Sequence, residues 1–203
     1  MSVELIGFYG GDITHAQSAW CSTKTDALKN QYRIPGLLKK MAQEGHGTPF
    51  EKSSLHFLVR CDVATHIQLL KHRIGVSINA ESARYKEIKE DESHIPEDWP
   101  DEWKERLHKF VNEGNALYHE CCKTLTPLLG RVRAKESSRF FKGYSSMITC
   151  DVQFNFRSFV HFYGLRGKPE AQKEIRDLAE EMLGLIKNGT NGAFLDTIEA
   201  FGL

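Results

Sequence analysis

The amino-acid sequence predicts an α+β fold on three observations. Residues 53–61 alternate apolar and polar side chains, as a half-buried strand does. Several longer segments place apolar residues three or four positions apart, which is the spacing of amphipathic helices. At 203 residues the chain is long enough to bury a core, and this length suits one domain or two small ones.

The first part of the chain predicts one further strand and two helices. Residues 1–9 contain an apolar run that suits an edge strand, and Asp12 suits the N-cap of a short helix. A second helix is expected over residues 34–44, because Pro35 fits a first helical turn and Gly45 fits a helix end. The side chains expected to be buried in these helices are Ile13, Ala16, Trp20, Leu37, Leu38, Met41 and Ala42.

A third helix is predicted directly after the strand at 53–61, with Asp62 as its N-cap. Gln68 and His72 lie four residues apart on a different face from its apolar stripe, with Lys71 beside them. We therefore expect a packed helix whose exposed end presents polar side chains to a ligand. The core-facing stripe is predicted to consist of Val63, Ile67, Leu70 and Ile74.

The second half of the chain predicts two long helices after a solvated segment. Residues 86–102 are charged and contain two prolines, which favours an exposed excursion. A long amphipathic helix follows and is expected to end near Pro127, and the last helix is expected between Pro169 and Gly189. The buried stripe of the long helix is predicted to be Trp103, Leu107, Phe110, Leu117, Cys121 and Leu125.

Composition excludes several classes of protein. The 27 basic and 27 acidic side chains give zero formal charge, which disfavours a protein that coats nucleic acid. The five cysteines are an odd number without disulfide spacing, and the cysteines and histidines lack the pair spacing of a zinc site, so we expect no metal. No apolar run is long enough to cross a membrane. We expect a cytoplasmic protein that binds neither nucleic acid nor membrane.

Residues 68–85 concentrate positive charge and hydrogen-bonding groups. Lys71, His72, Arg73 and Arg84 supply the cationic groups, and Glu81 is the carboxylate among them. Guanidinium and ammonium groups provide charge for a polyanion, while hydroxyls, amides and backbone N–H groups provide direction. The same residues also fit a purely structural role, namely a basic helix end followed by a surface loop.

Two further segments carry candidate ligand-binding groups. Residues 45–51 read G-H-G-T-P-F-E, in which two glycines and a Thr-Pro step predict a sharp, backbone-exposing turn. Residues 154–166 read F-N-F-R-S-F-V-H-F-Y-G-L-R, which places Arg157 and His161 on one helical face. Each segment also has a structural explanation as a turn or a helix end.

The order of these motifs resembles the flavin-dependent thymidylate synthases. Residues 71–85, K-H-R-I-G-V-S-I-N-A-E-S-A-R-Y, are similar to the family signature R-H-R-x-x-S-x-N-x-x-S-x-R-Y, with one extra residue between Arg73 and Ser77. Residues 46–51 resemble the family's H-x-T-P-F-E, and residues 155–166 resemble its N-x-R-S-x-x-N-F-x-x-L-R. The resemblance covers roughly residues 12–187.

The resemblance implies a single domain over residues 1–203, with an antiparallel sheet flanked by helices, and a homotetramer. It implies reductive methylation of dUMP to dTMP, with methylenetetrahydrofolate as carbon donor, NADPH as reductant and FAD as cofactor. It assigns the catalytic role to Arg166. The residues that would bind the flavin are Ser22, His46, Thr48, Glu51, Lys71, His72, Arg73, Asn79, Asn155, Arg157, His161 and Leu165. The residues that would bind the substrate are Gln68, Lys71, Glu81, Ser82, Ala83, Arg84 and Arg166.

Several positions depart from the family pattern and leave more than one function open. His161 stands where the family usually has asparagine. Lys71 and Thr149 stand where the family often has arginine. Ala80 stands where it has an acid, and Glu170 where it often has histidine. These positions surround the expected ligands, so the substrate could be another uridine nucleotide such as UMP. An inactive flavin- or nucleotide-binding relative and an RNA-binding module are the remaining functions that the sequence leaves open.

Overall fold

The computed structural model describes residues 1–82 and 91–203 of the chain. In these residues the backbone forms an antiparallel sheet whose strands lie in the order β1-β2-β4-β3. The strands are β1 (Ser2–Tyr9), β2 (Ser54–Asp62), β3 (Val76–Ala80) and β4 (Met147–Phe154). The helices are α1 (Asp12–Ala19), α2 (Ile34–Gln43), α3 (Val63–Leu69), α4 (Asp101–Leu129), α5 (Arg131–Ser138), α6 (Phe156–Arg166), α7 (Lys173–Gly189) and α8 (Leu195–Phe201). The predicted α+β class with an antiparallel sheet is confirmed.

Internal contacts divide the chain into two compact units. The first consists of Met1, Arg60–Ile67 and Ala80–Cys150, and the second of Ser2–Val59, Gln68–Asn79 and Asp151–Leu203. This division does not test whether residues 1–203 fold as one domain, so the single domain stays a prediction.

In the first unit, α4 buries a different stripe from the predicted one. Trp103 is 52% exposed and Phe110 is 61% exposed, so the most apolar stripe of the helix faces outward. The buried face instead contains Asn115 and Tyr118. Lys142 makes this polar burial possible, because its Nζ donates to Asn115 Oδ1 at 2.6 Å and lies 4.7 Å from the centre of the Tyr118 ring.

The second unit contains an apolar core and a buried carboxylate that joins α1 to α8. Ala16, Leu38 and Phe50 are fully buried in the core, whereas Ile13, expected inside, is 43% exposed. Asp12 is the first residue of α1 and does not cap it, which corrects the prediction. Its carboxylate accepts hydrogen bonds from the backbone N–H groups of Asp196 and Thr197 at the start of α8, both at 2.9 Å.

The helix before the basic segment is shorter than predicted, and its buried face differs. Asp62 does cap α3, since its Oδ1 accepts from the Thr65 N–H at 2.9 Å. The helix ends at Leu69, so helical spacing no longer applies to Leu70 and Ile74. These two side chains are 44% and 90% exposed, whereas His72 is only 8% exposed. The predicted core stripe is therefore wrong, and His72 is held inside the second unit.

Candidate active site

Helix α6 forms the centre of the candidate site, within the second unit. Asn155 caps this helix, because its Oδ1 accepts from the Ser158 N–H at 2.8 Å. Arg157, His161 and Leu165 are exposed and follow one another at four-residue spacing, so they share one face of the helix. The opposite face packs Phe156, Phe159 and Phe162, all with no exposed surface. The core therefore fixes a helix whose outer face is rich in hydrogen-bond donors.

Arg166, at the end of α6, joins two of the sequence motifs. Its Nε donates to His72 Nε2 at 3.0 Å, and its Nη1 donates to Gln68 Oε1 at 3.2 Å. A guanidinium group can only donate, so His72 must accept with an unprotonated Nε2. Burial is the main cause that lowers the pKa of His72 to about 4, and the nearby Arg166 and His161 contribute to the same shift. At neutral pH, His72 is therefore an uncharged acceptor that orients Arg166.

The first turn of α6 contacts the G-H-G-T-P-F-E segment. Arg157 Nη1 lies 2.6 Å from Glu51 Oε1, at the end of the 3-10 helix Thr48–Glu51. A Cβ at Gly47 would lie 2.5 Å from Arg157 Nε, so a larger residue there would displace the Arg157 side chain. His46 is exposed and lies 3.3 Å from Glu44. The segment therefore lies against the N-terminal turn of α6 and supplies an acceptor for Arg157.

The loop after His72 is attached to the start of α6 by contacts that the sequence did not reveal. Gly75 has a φ of +66°, and a Cβ there would lie 2.4 Å from Asn155 Nδ2. The Asn155 N–H donates to the Gly75 carbonyl at 3.1 Å. Ser158 Oγ donates to the Ile74 carbonyl at 2.7 Å. The signal available in the sequence was the glycine within the extended signature, since a left-handed conformation strongly favours glycine.

The structure brings some of the predicted site residues together and leaves others apart. Lys71 and Arg73 are exposed in the loop after α3. Ser22 lies in the 3-10 helix Trp20–Thr23 and Asn79 in β3, and no hydrogen bond among residues 1–82 and 91–203 joins either to α6. The predicted site residues linked by the contacts described above are Gln68, His72, Asn155, Arg157, Arg166 and Glu51.

Some of the residues predicted to bind the substrate lie in the first unit. The Glu81 N–H donates to the Thr149 carbonyl at 2.9 Å, and the Glu81 carboxylate accepts from the Thr149 N–H at 2.8 Å. Arg60 Nη1 donates to Thr149 Oγ1 at 3.1 Å. These bonds fix Glu81 beside β4, one residue before Ser82. Ala83 and Arg84, which are also predicted to bind the substrate, lie outside the described residues.

Comparison with solved structures places this architecture beside a known enzyme. The chain is similar to the UMP/dUMP methylase PolB from Streptomyces cacaoi, at 25% sequence identity in two complexes. In the complex with 5-Br UMP the TM-score is 0.74, and 99% of this chain and 93% of PolB are covered. In the complex with 5-Br dUMP the TM-score is 0.78, with 94% of PolB covered. This similarity to a nucleotide methylase over almost the whole chain defines the protein as a methyltransferase.

Sequence comparison gives the family. Residues 4–189 match the model of the family described as thymidylate synthase complementing protein. The flavin-dependent thymidylate synthase of Streptomyces coelicolor is 31% identical over 76% of this chain and 71% of its own length. That of Streptomyces avermitilis is 27% identical over 90% of this chain and 84% of its own length. The chain belongs to this family, which confirms the resemblance, while the roles of single site residues remain predictions.

No helix in the described part of the chain combines the length and the apolar character needed to cross a membrane. The cytoplasmic location stays a prediction.

Proposed function

We propose that this protein methylates the uracil ring of a uridine nucleotide, with dUMP as substrate and dTMP as product. The observation that carries the proposal is the pair of hydrogen bonds from Arg166 to His72 and Gln68. They join the basic signature to the third motif in a chain that belongs to the flavin-dependent thymidylate synthase family. The proposed carbon donor is methylenetetrahydrofolate, the reductant is NADPH and the cofactor is FAD.

Arg166 has the chemistry that the proposed reaction needs. Carbon 5 of uracil is a weak nucleophile, and negative charge on the ring increases its reactivity. A guanidinium group stays protonated at all working pH values, so it can stabilise charge that develops on N3 and the adjacent oxygens. Uncharged His72 holds this group by Nε, which directs its remaining N–H groups.

The donors on and around α6 fit a flavin dinucleotide. Arg157 and His161 are exposed on the helix, and Lys71 and Arg73 are exposed in the loop after α3. Such groups suit a pyrophosphate and the carbonyl oxygens of an isoalloxazine ring. A bound flavin supplies the redox chemistry, and the protein supplies binding and orientation. The exposed face of α6 is the proposed flavin-binding surface.

UMP is the second candidate substrate, and a specific observation favours it. PolB, which matches 99% of this chain, is named a UMP/dUMP methylase and was crystallised with analogues of both nucleotides. The departures at Lys71, Ala80, Thr149 and Glu170 all fall near the expected ligands. Activity with both nucleotides is therefore compatible with the site.

We further propose a homotetramer, which the outer face of α4 supports. Trp103, Phe110 and Leu117 lie seven residues apart on one exposed stripe. An exposed apolar stripe of this kind is typical of a surface that another protein chain covers. Light scattering should give about four times the 23.2 kDa chain mass, and a monomeric protein at working concentration would contradict the proposal.

The experiment that tests the function is turnover of dUMP and UMP by the purified, FAD-loaded protein. Methylation of at least one nucleotide is expected, and Arg166→Lys should lower kcat about 100- to 1000-fold, because it removes oriented stabilisation of the charged ring. Arg133→Lys, at an exposed position of α5, is the matched control and should be unchanged. Absence of methylation with both nucleotides, or full activity of Arg166→Lys, would overturn the proposal.

A further inference from the structure

A chain of hydrogen bonds runs from Arg166 to the start of α7. Arg166 Nη1 donates to Gln68 Oε1 at 3.2 Å. The Gln68 amide nitrogen donates to the side-chain oxygen of Gln172. The Gln172 amide nitrogen donates in turn to the carboxylate of Glu174 at 2.7 Å. All four residues belong to the second unit.

Arg166 at one end of this hydrogen-bond chain and Glu174 at the other fix the direction of every bond between them. A guanidinium group only donates, and an ionised carboxylate only accepts. Gln68 must therefore turn its oxygen to Arg166 and its nitrogen to Gln172. Gln172 must turn its oxygen to Gln68 and its nitrogen to Glu174. If either carboxamide were reversed, two donors or two acceptors would face each other.

Gln172 occupies a position that another residue type would normally fill. It is the N-cap residue of α7, with φ −54° and ψ 139°, and its side chain makes no capping bond. Ser, Thr, Asp and Asn are preferred at this position because they accept from the first free backbone N–H groups. Glutamine gives up that stabilisation here, and its side chain reaches Gln68 instead.

We propose that Gln172, oriented by Glu174, is a positioning residue that holds Gln68 with its acceptor oxygen towards Arg166. The proposal rests on the proposed function, in which Arg166 and Gln68 contact the uridine nucleotide. Gln172 itself is assigned no contact with nucleotide or flavin. It acts by keeping the carboxamide of Gln68 from reversing, because a reversed carboxamide would present its nitrogen to the guanidinium and repel it.

Three variants at Gln172 separate this role from a structural one. Gln172→Glu, made together with Glu174→Gln, keeps an acceptor oxygen for Gln68 and exchanges donor and acceptor between positions 172 and 174. The net charge at the helix N-terminus stays the same. Gln172→Met keeps the length of the side chain but offers Gln68 no comparable acceptor. Gln172→Ser restores a preferred N-cap but cannot reach Gln68.

We expect Gln172→Ser to keep the stability of the protein while it weakens nucleotide binding. Gln172→Ser should unfold at the same temperature as the native protein or higher, yet bind dUMP or UMP about 3- to 10-fold more weakly, as the loss of one hydrogen bond predicts. Gln172→Met should show the same weakening, and the double variant Gln172→Glu with Glu174→Gln should stay within about twofold of the native protein. The binding constants come from calorimetry on the FAD-loaded protein.

A second readout is independent of the proposed function. The side-chain amide signal of Gln68 in a nitrogen-15 NMR spectrum should shift in Gln172→Met and Gln172→Ser, and it should shift less in the double variant Gln172→Glu with Glu174→Gln. If these shifts appear but no nucleotide binds, the hydrogen-bond chain is correct and the proposed function has failed. If Gln172→Ser and Gln172→Met bind nucleotide as the native protein does, or the Gln68 signal does not move, the positioning role is wrong.

Discussion

Two buried histidines make the stability of this protein depend on pH. His15 has no exposed surface and His72 is 8% exposed. Burial is the main cause that lowers the pKa of each to about 4, from the value of 6.5 that a solvated histidine has. Below pH 6.5 the unfolded chain therefore binds protons that the folded chain does not bind, which favours unfolding.

The resulting prediction concerns His72→Gln. As pH falls from 7 to 4, the native protein should lose stability relative to this variant, by up to about 3 kcal/mol. The loss should occur between about pH 6.5 and pH 4, because the histidine is fully neutral in both states above that range. Denaturant unfolding across this range measures the difference. A constant difference between the two proteins would mean that His72 is not held uncharged.

Lys71 supports a second prediction at this scale. A lysine keeps the positive charge of the usual arginine but lacks its planar fork of donors. Lys71→Arg should therefore tighten FAD binding about 3- to 10-fold, as one additional charged hydrogen bond would. Fluorescence titration with FAD gives the dissociation constant, and Lys39→Arg on exposed α2 is the control. An unchanged constant would show that the site does not use a fork at this position.

At the scale of elements, local signals were predictable and distant partners were not. The turn signals around α2 and the alternation in β2 predicted both elements to within one residue or so. The buried faces of α3 and α4 were predicted wrongly, because apolar spacing does not show which polar groups find partners. Asn115 is buried since Lys142 reaches it, and no periodicity reveals a contact between residues so far apart in the chain.

A prediction about elements concerns Asp12, whose carboxylate joins α1 to α8. Its carboxylate accepts from two backbone N–H groups of α8 and from the Thr197 hydroxyl. Asp12→Ala leaves these buried donors without an acceptor and should cost about 1–3 kcal/mol of unfolding free energy. Asp12→Asn keeps one acceptor oxygen and should cost less. Urea unfolding measures both, and an Asp12→Ala variant as stable as the native protein would contradict the stabilising role of these bonds to α8.

For the whole molecule, the three motifs predicted the family, and the family predicted the antiparallel sheet. Without the family, the spacing of apolar residues predicted only the α+β class. The structure adds what ordered motifs cannot give, namely that Arg166 meets His72 and Gln68 and that Arg157 meets Glu51. The bond between Gln68 and Gln172 could not be predicted, because the position of Gln172 before α7 resembles an ordinary helix start.

The outer face of α6 and the loop after α3 are proposed to hold a flavin against a uridine nucleotide, and every functional prediction above depends on this. A crystal structure of the protein with FAD and dUMP tests it most directly. We expect the uracil ring within about 4 Å of the Arg166 guanidinium, and the flavin in contact with Arg157 and His161. Either ligand bound away from these side chains would contradict the proposed arrangement.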